Sequence, residues 1–233
     1  MTIRWNTTEV NGSSMRVYTG APDDASSRPG LVVIMGRPGV DEVIQDAVHR
    51  LFRAGYVVAA PDLYHRQAAD LDSKKRSGML RDNEVIADVK ATVAHINAVG
   101  RNVGRIGIVG FCLGGRVSYL SAATVDEIQA AAVFYGGNIM AVRGDPLSPF
   151  ERSADIHCPI IAFTGTQDEN PSPEDMRKID AELTRLNKPH EFHLYQDTDH
   201  AFLSFNGERY RARTAMGAWA EMLAFFEQHL KRA

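Results

Sequence analysis

From residue 31 onward, short apolar runs alternate with longer stretches in which apolar residues recur every three or four positions. The runs Leu31–Met35, Tyr56–Ala60, Ile106–Val109, Ala130–Phe134, Pro159–Phe163 and Glu191–Tyr195 have the length of buried strands. Between them, Asp41–Ala54 places Val43, Ala47, Leu51 and Ala54 on one predicted helix face, with Gly55 as the stop. Glu84–Val99 repeats Val85, Val89, Val93 and Ile96, with Gly100 and Gly104 at its exit. Arg116–Ala123 is compatible with a helix, and Pro173–Leu186 carries a proline at its start. A last helix over 209–230 is expected to bury a stripe of Met216, Trp219, Leu223, Phe226 and Leu230. Strand–helix alternation of this kind predicts an α/β fold, a mostly parallel central sheet with helices on both faces.

Upstream, residues 3–10 and 14–18 alternate around Asn11-Gly12 and read as a hairpin. Residues 20–30 and 138–157, rich in Pro, Gly, Asp and Ser, read as loops. Tyr64–Asn83 is polar and long for a connection, and such segments tend to cover sites at strand ends. No repeat or linker divides the chain, so residues 1–233 are expected to form one domain.

Composition narrows the function classes. A net charge of −3 with scattered basic residues argues against nucleic acid or an anionic membrane as partner. No run reaches the roughly 18 apolar residues of a membrane span. No signal-peptide pattern is seen at Met1-Thr-Ile-Arg-Trp-Asn, and Cys112 and Cys158 are expected to be free thiols of a cytoplasmic protein. No ligand spacing suggests a metal, and no cofactor is expected.

The chemistry concentrates at Gly110-Phe-Cys-Leu-Gly114, where the strand ending at Val109 turns into a helix. A nucleophile between two glycines at a strand-to-helix turn is the nucleophile elbow of α/β-hydrolases, here with cysteine. The helix N-terminus and nearby backbone N–H groups favour a thiolate and a developing oxyanion. Ligands of open α/β sheets bind beyond the carboxyl ends of the strands. There the pattern places Cys112, Asp168, His200 and the Arg37 backbone, each after a different strand. Nucleophile, acid, histidine is also the chain order of α/β-hydrolases. His200 would be the base, Asp168 would fix its tautomer, and the N–H groups of Leu113 and Arg37 would meet the oxyanion. Asp168 also suits a plain turn or cap near Pro171. His190 and His193, near a strand, and His49, His95 and His229, on helices, read as solvated.

Together with Gly55-Tyr-Val-Val-Ala-Ala-Pro-Asp-Leu-Tyr64, Val109–Gly115, Phe134-Tyr-Gly136, Gly165-Thr-Gln-Asp168 and Asp199-His-Ala-Phe202, these features resemble the dienelactone hydrolase family. The resemblance runs from about residue 30 to the C-terminus. It implies cofactor-free hydrolysis of a small ester or lactone through a thioester acyl-enzyme. It also implies a Cys-Asp-His triad on Cys112, Asp168 and His200, with oxyanion donors on Arg37 and Leu113. The chain departs from the family pattern twice. The loop glutamate that activates the family's thiol is replaced by Gly36, and a carboxylate-binding arginine after the histidine is replaced by Ser204. Arg81 falls near the family's other carboxylate-binding arginine. These departures predict a less polar ester or lactone, with Tyr64, Tyr135 and Phe202 near the pocket. A thioesterase, a binding protein that has lost turnover, and a redox-responsive thiol protein remain alternatives. Oligomeric state is not legible.

Overall fold

The structure, a computed structural model, describes residues 2–23, 26–100 and 103–231. Eight strands form one sheet: β1 (Thr2–Val10), β2 (Ser13–Ala21), β3 (Arg28–Ile34), β4 (Val57–Pro61), β5 (Val103–Phe111), β6 (Ile128–Phe134), β7 (Ile160–Gly165) and β8 (His190–Tyr195). Their spatial order is β1-β2-β4-β3-β5-β6-β7-β8. The N-terminal hairpin is antiparallel, and β2 pairs antiparallel with β4. From there to β8 every pairing is parallel. The central strands β3 to β7 are apolar on both faces, as a doubly covered parallel sheet requires.

The helices are α1 (Glu42–Arg53), α2 (Ser73–Met79), α3 (Asp82–Gly100), α4 (Leu113–Thr124), α5 (Pro173–Arg185) and α6 (Ala212–Phe226). None of the described helices is long and apolar enough to cross a membrane. Asp41 caps α1 by accepting from Ile44 N at 3.1 Å. Ser172 and Asp175 close a reciprocal capping box on α5, with Pro173 in its first turn.

Four expectations are corrected. The buried face of α1 is Ile44, Ala47, Val48, Leu51 and Phe52, which leaves Val43 partly exposed. In the expected α6 stripe Trp219, Phe226 and Leu230 are buried and Leu223 packs against the core, but Met216 is 70% exposed, and Ala215, Ala218, Met222 and Phe225 complete the buried face. The last turn widens to π geometry over Glu227–Lys231. The polar segment after Tyr64 is not all loop, since Asp72 caps the short helix α2 from Lys75 N at 2.9 Å. Of the expected loop 20–30, residues 20 and 21 close β2, residues 28–30 belong to β3, and residues 24 and 25 lie outside the described residues.

The chain leaves β3 to one side for β4 and returns to the other side for β5. Strand order therefore reverses at β3/β5, and a crevice opens beyond their carboxyl ends. The ladder pairs Ile34 with Gly110, Phe111 with Phe134, Phe134 with Phe163, and Gly165 with Tyr195, so five strands end near one level.

Candidate active site

The turn from β5 into α4 puts Cys112 at φ 58°, ψ −114°, a region an L-residue occupies only under constraint. The constraint comes from close packing. A Cβ on Gly110 would overlap the Gly114 carbonyl, and one on Gly114 would overlap the Ile34 carbonyl at the end of β3. Cys112 N donates to Phe134 O at 3.0 Å, and its carbonyl accepts from Gly115 N at 3.0 Å as α4 begins. The thiol is thus held above the sheet at a helix N-terminus, half-buried.

Asp168 and His200 come from the loops after β7 and β8. Backbone bonds from Thr166 N to Tyr195 O and from Gln167 N to Thr198 O, both 2.9 Å, tie these loops together. Asp168 is 3% exposed and uses its two oxygens separately. Oδ1 accepts from Asn170 N at 2.9 Å, and Oδ2 accepts from His200 Nδ1 at 2.9 Å. The turn-forming and histidine-holding readings of Asp168 are therefore both met by one side chain. Asp199 Oδ1 accepts from His200 N at 2.6 Å, and the Tyr135 ring packs edge-on against the imidazole at 5.0 Å.

His200 and the Cys112 thiol face the same cleft, and each shifts the other's proton affinity. Burial alone would raise the thiol, but the imidazole, the Leu113 N–H and the Arg37 charge bring it below the ordinary thiol range. Burial works against the imidazolium too, yet Asp168 and Cys112 carry His200 up to about 9. The two shifts describe one interaction between thiol and imidazole, with the buried Asp168 carboxylate on the far side of the ring. Cys158, without such neighbours, is pushed up to about 12 by burial.

The three side chains open onto a cleft of about 580 Å³. Arg37, Leu113 and Tyr135 line it as the sequence predicts. The other substrate-side expectations are corrected. Arg81 turns away and its Nη1 donates to the carbonyls of Gly78, Met79 and Leu80, at the end of α2. Phe202 is fully buried behind the cleft, among Tyr135, Tyr195 and Phe134. Tyr64 is 1% exposed and lies behind the turn after β3, where its hydroxyl donates to Arg37 O at 2.8 Å. Tyr135 lines the wall, but its buried hydroxyl has no partner in hydrogen-bond geometry, and burial pushes the phenol well up.

Sequence reasoning missed Arg143, Arg209 and Ser77, which also line the cleft. Arg143 is half-buried in the loop after β6, and its Nη1 donates to Ser77 O at 3.0 Å. Burial, with the Arg116 charge behind it, pushes its guanidinium down. Arg209 Nε lies 3.1 Å from Asp199 Oδ2 at the rim. Neither Arg37 nor Arg143 has a carboxylate within ion-pair distance among the described residues. Arg143 gave no local signal, because nothing distinguishes it from Arg152, which pairs instead with Asp145. The solvated reading of His49 and His95 is corrected as well: they bond Tyr18 and Thr19 of β2 at 3.0 and 2.9 Å.

A mostly parallel sheet, a strained elbow at the end of β5 and a cleft at the strand-order reversal define the α/β-hydrolase fold. Within that fold, the chain belongs to the dienelactone hydrolase family, whose model matches residues 15–230. A protein of Escherichia coli K12 named "Putative carboxymethylenebutenolidase" is 31% identical, over 94% of this chain and 84% of its own. A Bradyrhizobium protein named "Probable 2-oxo-3-(5-oxofuran-2-ylidene)propanoate lactonase" is 28% identical, over 97% of this chain and 94% of its own. The crystal structure of a "Putative Dienelactone Hydrolase" from Klebsiella pneumoniae superposes with a TM-score of 0.85 at 28% identity, covering 98% of this chain and 100% of that one.

Proposed function

We propose that this protein hydrolyses a small ester or lactone carrying an anionic group, with Cys112 as nucleophile, His200 as acid and base, and Asp168 as the group that orients His200. The convergence of Cys112, His200 and Asp168 on one cleft, with His200 Nδ1 2.9 Å from Asp168 Oδ2, carries the reading. The Cys112 thiolate attacks the carbonyl carbon and forms a C–S bond, and the carbonyl oxygen becomes an oxyanion facing the N–H groups of Leu113 and Arg37. Collapse breaks the C–O bond, and the departing alkoxide takes the proton of the His200 imidazolium. In a lactone that alcohol stays tethered to the acyl chain. A water then gives its proton to His200 and adds to the thioester. The C–S bond breaks, releasing the carboxylic acid and restoring the thiolate.

The glutamate absent at Gly36 is not required for this cycle. The imidazole of His200 itself lowers the thiol, so the cycle draws on no further activating carboxylate.

The cleft supports an anionic substrate rather than the less polar one expected from the sequence. Arg143 and Arg37 supply guanidinium groups unpaired with carboxylates, and Arg143, partly buried while Arg37 is exposed, gains most from a charge-assisted, forked partner. The Bradyrhizobium relative is named for a lactone that bears a carboxylate. A thiolate nucleophile works where thiols stay reduced, so we place the protein in the cytoplasm.

Intact-mass spectrometry after incubation with neutral esters and carboxylate-bearing lactones tests the reading. An acyl adduct that maps to Cys112, with turnover lost in Cys112→Ala, is expected. Turnover that persists in Cys112→Ala would sink it.

A further inference from the structure

The Gly36–Gly39 turn that offers the Arg37 N–H stands against the nucleophile: a Cβ built on Gly36 would lie 4.0 Å from the Cys112 Cβ. Two successive peptide planes in this turn are each held by one bond. Gly39 N donates to Gly36 O at 3.1 Å, which fixes the plane shared by Gly36 C=O and Arg37 N–H. Because a trans peptide points its N–H opposite its C=O, that bond turns the Arg37 N–H out of the turn. The next plane contains Arg37 C=O and the nitrogen of Pro38, which has no hydrogen to donate. Its anchor is the side-chain bond from Tyr64 Oη to Arg37 O at 2.8 Å.

Tyr64 is itself immobilised. Its backbone N donates to Asp62 Oδ1 at 3.0 Å, and the Arg76 guanidinium sits 4.6 Å over its ring. Burial, the largest influence, pushes the phenol up to about 12, so it remains a donor at every working pH. The ring lies 3.9 Å from the place a Cβ would take on Gly39, so Tyr64 buttresses both ends of the turn.

We propose that Tyr64 is a positioning residue for the oxyanion hole: its hydroxyl locks the Arg37–Pro38 peptide, the plane adjoining the one that carries the Arg37 N–H, and so helps keep that N–H facing the oxygen of the tetrahedral intermediate. The inference rests on the hydrolase reading above. It separates the two tyrosines, since Tyr135 stands in the cleft wall while Tyr64 acts from behind the backbone. Oxyanion donors act through preorganisation, so a turn free to shift by a fraction of an ångström loses effect in the transition state and little in substrate binding.

Tyr64→Phe removes the hydroxyl and keeps the ring. The probe is a small aryl trifluoromethyl ketone. Its carbonyl carbon forms a C–S bond with Cys112, its oxygen becomes the oxyanion, and the proton stays on His200. Affinity is read from the fluorine NMR signal of the tetrahedral adduct. In Tyr64→Phe, adduct affinity and kcat are expected to fall together by about 10- to 100-fold. KM and the thermal midpoint should stay near wild type, and iodoacetamide should alkylate Cys112 at the wild-type rate. A variant that binds the ketone as tightly as wild type, or one whose alkylation slows as much as its adduct weakens, overturns the role of Tyr64. A wild-type protein that forms no adduct and turns over no ester overturns the hydrolase reading, and this inference with it.

Discussion

Arg116 on α4 grips Asp82 at the start of α3 as a closed fork, with Nη1 to Oδ1 at 2.5 Å, Nη2 to Oδ2 at 2.9 Å, and both side chains 2% exposed. Its Nε and Nη2 also donate to the carbonyls of Asn138 and Ala141 at 3.0 and 2.7 Å. The fork therefore fastens the loop that carries Arg143 into the cleft. Arg143 O in turn accepts from Asp82 N at 2.8 Å, which closes the circuit.

Breaking that fork from one side leaves a buried charge uncompensated. Asp82→Asn is expected to cost about 3–5 kcal/mol of folding stability, read from denaturant midpoints. A paired replacement, Asp82→Leu with Arg116→Met, should cost clearly less, because it removes both charges at once.

The two thiols should behave as opposites. At neutral pH iodoacetamide is expected to alkylate Cys112 and leave Cys158 untouched until the protein unfolds, since burial holds Cys158 up at about 12. The alkylation rate of Cys112 should rise with pH through a midpoint below that of an ordinary thiol. His200→Ala should move that midpoint upward, because it removes the imidazole that lowers the thiol. Peptide mapping by mass spectrometry follows each site.

Asp168→Asn should lower kcat by about 10³–10⁴, the scale set by losing the correct imidazole tautomer. Burial depresses His200, and Asp168 is the leading influence that raises it to about 9. Removing that carboxylate lowers the imidazolium pKa. The alkaline limb of the kcat/KM profile, where His200 loses the proton it gives to the leaving group, should therefore shift to lower pH.

Arg143→Gln separates substrate charge from catalysis. A hydrogen bond to a charged group contributes about 1.5–3 kcal/mol, so KM for a carboxylate-bearing lactone should rise by about tenfold or more. Turnover of a neutral aryl ester should stay within about twofold. Equal losses on both substrates would show that Arg143 serves the fold rather than the anion.

The elements legible in the sequence were those whose signal is local. The apolar run before Gly110 and the small residues at Gly110, Gly114 and Gly115 specify a sharp turn wherever they occur in a parallel sheet, and Cys112 sits at φ 58° accordingly. His200 and Asp168 were legible because both follow strands, and strand ends are fixed by the same alternation that fixes the fold. The α6 stripe was legible except at Met216, which is apolar yet lies on the solvent side. Met216 needs no burial to be tolerated, so hydropathy alone does not select the face.

By itself the sequence determined the strand–helix alternation, the bend that presents Cys112, and the chain order of sulfur, carboxylate and imidazole. These depend on residue size, backbone freedom and periodicity, which act over a few neighbours. Only the tertiary structure decided that Arg143 rather than Arg81 reaches the cleft, that Tyr64 stands behind Arg37, and that Arg116 is sealed inside with Asp82. Long polar side chains reach partners far along the chain, and burial and hydrogen bonding choose among those partners only once the sheet has brought the loops together.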